Sequence, residues 1–218
     1  MDKSFKYLIS PEISKLKEFS PKLRIAILAS GEGSNFQKLI DLSKSNTFDI
    51  DIRILITNKP DAGCISRAKE SNISYKIINN SDYKNKDYFE EEIINTLKNN
   101  DIELVVMAGW MKIMSSKFVS IFKNKLINIH PSLLPSFKGS NAIKEAMSNH
   151  AKITGCSVHF VESEVDSGAL IMQAALPVSD EDNLETISKK IHLLEHRILP
   201  LSISEAGYVI RSHFTEND

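Results

Sequence analysis

Two side chains with catalytic capacity stand two positions apart in LINIHPSLLPSFKG, Leu126 to Gly139. Asn128 carries two amide hydrogens, and His130 carries a ring that exchanges its proton near neutral pH. If Leu126 to His130 is extended, alternation turns Ile127 and Ile129 to one face and Asn128 and His130 to the other. Two donors converging on one point stabilise an oxyanion, and a histidine there also serves as a proton shuttle. Pro131 and Pro135 stiffen the loop that follows. A lone histidine is more often a core residue bonded to backbone; the amide beside it at a strand end favours chemistry. A histidine that keeps its proton needs a carboxylate nearby, and ESEVDSG offers Glu162, Glu164 and Asp166. Asp166, followed by Ser167 and Gly168, belongs to a tight loop. Sequence alone does not rank the three acids, and a solvated turn aspartate is the alternative.

A second candidate is GEGSN, Gly31 to Asn35, lying between an apolar run and a helical pattern. The glycines permit a tight turn, and free N–H groups at a helix start suit a phosphate. The motif is neither a full GxGxxG nor a P-loop, and a packing turn is an equal alternative. Glu32 suits an anion site only if its carboxylate points away.

These residues need a scaffold, and the pattern around them supplies one. LRIAILAS, IDIRILIT, SYKII and ELVVMAG read as apolar strands, each followed by a helical or turn segment. Alternation of strands with helices predicts a single-domain α/β fold with a mostly parallel, doubly wound (Rossmann-like) sheet covered by helices on both faces. Ligands of such sheets sit beyond the carboxyl ends of the strands, near the reversal of winding. KITGCSVHFVE and ALIMQAALPV read as two further strands, joined by a hairpin or a loop. Leu184, Ile187, Ile191, Leu194, Ile198 and Leu201 form the apolar stripe of a last helix, from Asn183 to about Ser204. Residues 1–22, broken by Pro11 and Pro21, read as an N-terminal extension with a short helix around Glu12 to Phe19; the domain proper runs over 23–218.

Bulk properties narrow the partners. The 27 basic and 28 acidic side chains give a net charge of -1, with no footprint for nucleic acid or an anionic membrane. No stretch approaches the ~20 apolar residues of a membrane span, and no signal-peptide core is present. Cys64 and Cys156 lie far apart in no metal-binding spacing, which predicts a cytoplasmic protein without disulfide or metal.

At these residues the sequence resembles the glycinamide ribonucleotide (GAR) formyltransferases, which take a formyl group from 10-formyltetrahydrofolate. The resemblance rests on the ordered set GSN, AGWMKIM, NIHPSLLPSFKG, GCSVHFVESEVDSG and EHRILPL, and covers the chain from about Leu23 to the last helix. It implies that Asn128, His130 and Asp166 are catalytic, that Asp166 orients His130, and that no metal is required. It further implies a phosphate cradle at Gly33, Ser34 and Asn35. The GAR contacts would continue over His192, Leu193, Leu194 and Glu195, the last meeting the ribose hydroxyls. Folate contacts fall on Met111, Lys112, Ile113, Met114 and Asn128, and on Glu162, Ser163, Glu164, Val165 and Asp166. Two departures stand out. Lysines flank Asn85 where the family often has a folate-contacting arginine, so Lys84 or Lys86 takes its place, and Lys112 stands at another arginine position.

Relatives with the same three residues formylate methionyl-tRNA or hydrolyse formyltetrahydrofolate, and each carries an additional domain for which this chain leaves no room. A reading of another kind, a non-enzymatic nucleotide-binding module built on GEGSN, predicts that Asn128, His130 and Asp166 lie far apart. The sequence leaves the oligomeric state open.

Overall fold

Strand β2 (Leu23–Leu28) alternates Leu23, Ile25 and Ile27 into one core, and Ala26 and Leu28 into a second core across the sheet. The computed structural model, which describes residues 5–215, has this two-sided burial through its whole centre. Helix α1 (Ser34–Lys44) follows β2, then β3 (Ile50–Thr57), α2 (Cys64–Glu70) and β4 (Tyr75–Ile77). A short 3-10 turn (Asn80–Asp82) leads to α3 (Lys86–Asn99), which Asn85 caps by accepting from the Tyr88 N–H at 3.2 Å. The chain continues through β5 (Leu104–Met107), α4 (Ser116–Ile121), β6 (Leu126–His130), α5 (Ala142–Ser148), β7 (Ile153–Phe160), β8 (Leu170–Pro177) and α6 (Leu184–Thr215).

With β1 (Leu8–Ser10), these strands form one sheet in the order β1-β8-β7-β6-β5-β2-β3-β4. The β4-β3-β2-β5-β6 part is parallel, and β7, β8 and β1 add antiparallel neighbours on one side. Side chains of α1, α2 and α6 enter the first core, and those of α3 and α4 the second. The sheet is thus doubly wound, with its reversal between β2 and β5. There the chain leaves toward β3 and β4, then returns on the other side.

The expected helix over Glu12 to Phe19 does not form. Residues 11–22 are irregular, and the residues just before them make β1, paired antiparallel to β8. The three-residue spacing of Ile13, Leu16 and Phe19 mimics a helical stripe, but these side chains pack onto the first core from an extended path. The last helix also runs past Ser204, through Pro200 and Gly207, to Thr215. Ile203, Ala206 and Ile210 continue its buried stripe. A Cβ at position 207 would come 2.5 Å from the end of the Leu23 side chain, so glycine here leaves room for that leucine between helix and strand.

Candidate active site

The ends of β2, β5 and β6 open into a cleft of about 860 Å³. Asn128 and His130 reach it as alternation requires, since Ile127 and Ile129 are held in the first core. Asp166 arrives from the loop between β7 and β8, with a backbone φ of 51°. Aspartate tolerates this left-handed conformation better than most residues.

The carboxylate of Asp166 is the hub of the cluster. One oxygen lies 3.4 Å from His130 Nδ1 and accepts from the Gly139 N–H at 2.9 Å. The other lies 3.5 Å from Asn128 Nδ2 and 3.6 Å from His159 Nε2. Burial alone would raise its pKa. Hydrogen bonds from His159 and the Gly139 amide, with the nearby His130 and His159 rings, outweigh burial and hold it below the ordinary aspartate value. The carboxylate is therefore ionised at neutral pH.

His130 is buried, and its Nε2 lies 2.9 Å from the carbonyl oxygen of Phe137. Both ring nitrogens thus face oxygen acceptors, and only a doubly protonated ring donates to both. Phe137, two residues beyond Pro135, has a φ of 53°, an unusual conformation for so bulky a residue. The Nε2 position expected to face a substrate oxygen is occupied by this carbonyl.

His159, which sequence patterning did not single out, completes the group. It pairs with Asn128 across β6 and β7, and its Nε2 lies 3.2 Å from the Asn128 amide nitrogen. Its Nδ1 lies 2.7 Å from the Phe160 carbonyl oxygen and so carries a hydrogen. Neutral, the ring accepts from Asn128 and fixes the amide's orientation. Protonated, it donates to Asp166.

At the cleft's other end, Gly33 begins α1 with a φ of 72°. A Cβ there would lie 2.7 Å from that of Cys64, so both conformation and space demand glycine. Ser34 and Asn35 line the cleft just beyond it. The Asn35 amide donates to the buried Glu195 carboxylate at 2.9 Å. Burial raises the Glu195 pKa, opposed by that hydrogen bond and the field of His192. Glu32, the awkward acid of the turn, directs its carboxylate against Gly63. Lys59 also lines this end, just past β3; its position after a strand end was the signal available in the sequence.

Met111, Lys112, Ile113 and Met114 form one wall, and residues Glu162 to Asp166 another. Met114 is part of the second core, whereas Met111 and Ile113 are 64% and 66% exposed, apolar surface at the rim. Lys84, Asn85, Lys86, Lys112 and Ile113 border a smaller hollow of about 380 Å³, which shares Lys112 and Ile113 with the main cleft. His192 and Glu195 line the cleft, but Leu193 and Leu194 do not. Positions 192 and 195 share a face of α6, whereas Leu194 turns into the first core and Leu193 is exposed elsewhere.

The family profile described as formyl transferase matches residues 23–203. The trifunctional purine biosynthetic protein adenosine-3 of Homo sapiens is 42% identical over 182 residues, covering 84% of this chain but 18% of that protein. The chain therefore spans less than a fifth of the trifunctional relatives it matches. The phosphoribosylglycinamide formyltransferase of Bacillus subtilis is 37% identical, over 84% of this chain and 93% of its own length. Among solved structures, the phosphoribosylglycinamide formyltransferase of Bacillus halodurans superimposes with a TM-score of 0.81 at 36% identity, covering 84% of this chain and 94% of that one.

Proposed function

The chain belongs to the formyl transferase family, and from that premise we propose that it moves a formyl group from 10-formyltetrahydrofolate to the amine of 5-phosphoribosylglycinamide, in de novo purine biosynthesis. The observation that carries this reading is the convergence of Asn128, His130 and Asp166 on a cleft whose far end is a glycine turn at a helix start.

In the proposed reaction the GAR amine attacks the formyl carbon, and its oxygen takes up negative charge. Asn128 donates to that oxygen the amide N–H that otherwise points at Asp166, 3.5 Å away. His130 donates from Nε2 once the oxygen takes the place of the Phe137 carbonyl. Asp166 holds the ring by Nδ1 and supports its positive charge. Collapse breaks the bond between the formyl carbon and the folate nitrogen, while the proton lost by the attacking amine passes to that nitrogen. The products are formyl-GAR and tetrahydrofolate, and the balance needs no metal and no covalent enzyme intermediate.

Gly33, Ser34 and Asn35 receive the phosphate, and Glu195, with His192 one turn away, receives the ribose hydroxyls. The pterin lies between the Met111–Met114 wall and the Glu162–Asp166 loop. Lys84, Lys86 and Lys112 face the acidic tail of the donor as point charges, in place of planar guanidinium contacts. No helix among the described residues is long and apolar enough to cross a membrane. The two buried free cysteines suit a reducing cytoplasm.

Formyl transfer to GAR, assayed with wild type and His130→Ala, tests the reading. Wild type is expected to turn over, and the variant to lose about 100-fold or more in kcat. Nucleotide binding without transfer by wild type would favour the non-enzymatic module instead.

A further inference from the structure

Glu90 is a buried carboxylate that the acyl-transfer chemistry leaves unused. It is 3% exposed, on the face of α3 turned toward the second core. One oxygen accepts from the Ser115 backbone N–H at 2.6 Å, and the other bonds the Ser115 hydroxyl. The Lys86 ammonium lies 3.7 Å away, at the border of the smaller hollow. A carboxylate this deep is costly unless its oxygens are satisfied, and here they are committed to one end of the Met111–Met114 wall.

The other end of that wall is tied as firmly. The Met111 N–H donates to Ser30 Oγ at 3.0 Å, and that hydroxyl donates to Asn58 at 2.6 Å. Just before the tie at Met111, Trp110 stacks on Phe89, the neighbour of Glu90, with ring centres 6.5 Å apart and planes 11° from parallel. Its indole N–H donates to the Met114 sulfur at 3.3 Å. Fixed at both ends, the segment holds Met111 and Ile113 out over the cleft.

We propose that Glu90 is a positioning residue for the formyl donor: by anchoring Ser115 it sets the place of the wall against which the folate rests. The proposal rests on the reading of this cleft as a formyl-folate site. It predicts an effect mainly on one substrate, because the direct partners of Glu90, Ser115 and Lys86, do not line the main cleft, and Ser30, the wall's link toward the Gly33 turn, is held separately by Asn58.

The test compares Glu90→Ala and Glu90→Gln with wild type, by steady-state kinetics and by the emission of Trp110, the one tryptophan of the chain. Glu90→Ala should raise KM for 10-formyltetrahydrofolate about tenfold, leaving KM for GAR within about twofold. Trp110 emission of the unliganded variant should move to longer wavelength. Glu90→Gln, which still accepts from the Ser115 N–H, should restore both readouts most of the way. An unchanged donor KM in Glu90→Ala, an equal rise for both substrates, or a glutamine variant as impaired as the alanine one would overturn the proposal. Should Glu90→Ala not fold, Ser115→Ala takes its place and must raise the donor KM alone, by a smaller factor. A wild type without formyl transfer would defeat the functional reading, while the Trp110 comparison would still decide whether Glu90 sets the wall.

Discussion

Asp166 meets nitrogen atoms of four residues with two oxygens, and replacing one oxygen by an amide nitrogen sets donor against donor. In Asp166→Asn, an NH2 turned toward Gly139 meets the backbone N–H that now donates at 2.9 Å, and one turned the other way meets Asn128 and His159. Either orientation also leaves His130 Nδ1 without an anionic partner. The expected outcome is a fall in kcat of about 100-fold or more with the KM for GAR nearly unchanged, measured by steady-state kinetics. The lowered pKa carries a stability consequence of definite sign. Because the folded-state value lies below that of the unfolded chain, Asp166 stabilises the fold fully above the ordinary aspartate value of about 4. That contribution is lost as pH falls through the lowered value. Urea midpoints recorded from neutral pH into this acid range should therefore drop more steeply for wild type than for Asp166→Asn. Parallel curves would show that the carboxylate is not preferentially ionised in the fold.

The turn before α1 is the element whose geometry leaves least freedom. Gly33→Ala faces both a left-handed φ and the Cys64 Cβ at 2.7 Å. The backbone cost alone is about 1–2 kcal/mol. For a chain of this size that corresponds to a loss of roughly 2–8 °C in Tm, and the steric conflict adds to it. Displacement of the first N–H groups of α1 should raise KM for GAR more than KM for the donor, and the reverse order would remove the phosphate from this turn. Elements of this kind were legible in the sequence because their signals are local. A period of two set Asn128 and His130 on one face, and a glycine turn marked a helix start. What depended on neighbours was not legible. Ser157 and His159 alternate with Cys156 and Val158 as plainly as the residues of β6 do, yet nothing in KITGCSVHFVE says that this strand pairs with β6 in the register that opposes His159 to Asn128. Of the run His192 to Glu195 that the resemblance assigns to GAR, His192 and Glu195 line the cleft and Leu193 and Leu194 do not, because a helix presents to a cleft the residues three and four apart. The carbonyl of Phe137 opposite His130 lies in an irregular loop, where composition carries no register at all.

Residues before Leu23 act on the molecule as a whole, and they lie outside the matched family region. The strap pairs β1 with β8, joins Tyr7 to Arg197 by hydrogen bond and cation–π contact, and donates from the Lys17 N–H to Ser204 at 2.6 Å. Phe19 is its deepest anchor. The ring is 6% exposed, lies 6.5 Å from that of Phe48, and has the Arg211 guanidinium 5.2 Å from its centre. Phe19→Ala should cost about 3–5 kcal/mol, the range for deleting a buried aromatic ring. That is a fall of roughly 6–20 °C in Tm, with kcat unchanged below the transition because no strap residue among those described lines the cleft. Removing the first 21 residues goes further, because it uncovers the free edge of β8, and an uncovered edge is a template for another strand. The truncated chain should associate as concentration rises, seen by light scattering after size exclusion, while the full-length chain at the same concentrations keeps a constant mass. Both chains should transfer formyl groups at the same rate while dilute. A truncated chain with the full-length Tm and an unchanging mass would mean that the strap neither stabilises the fold nor shields its edge.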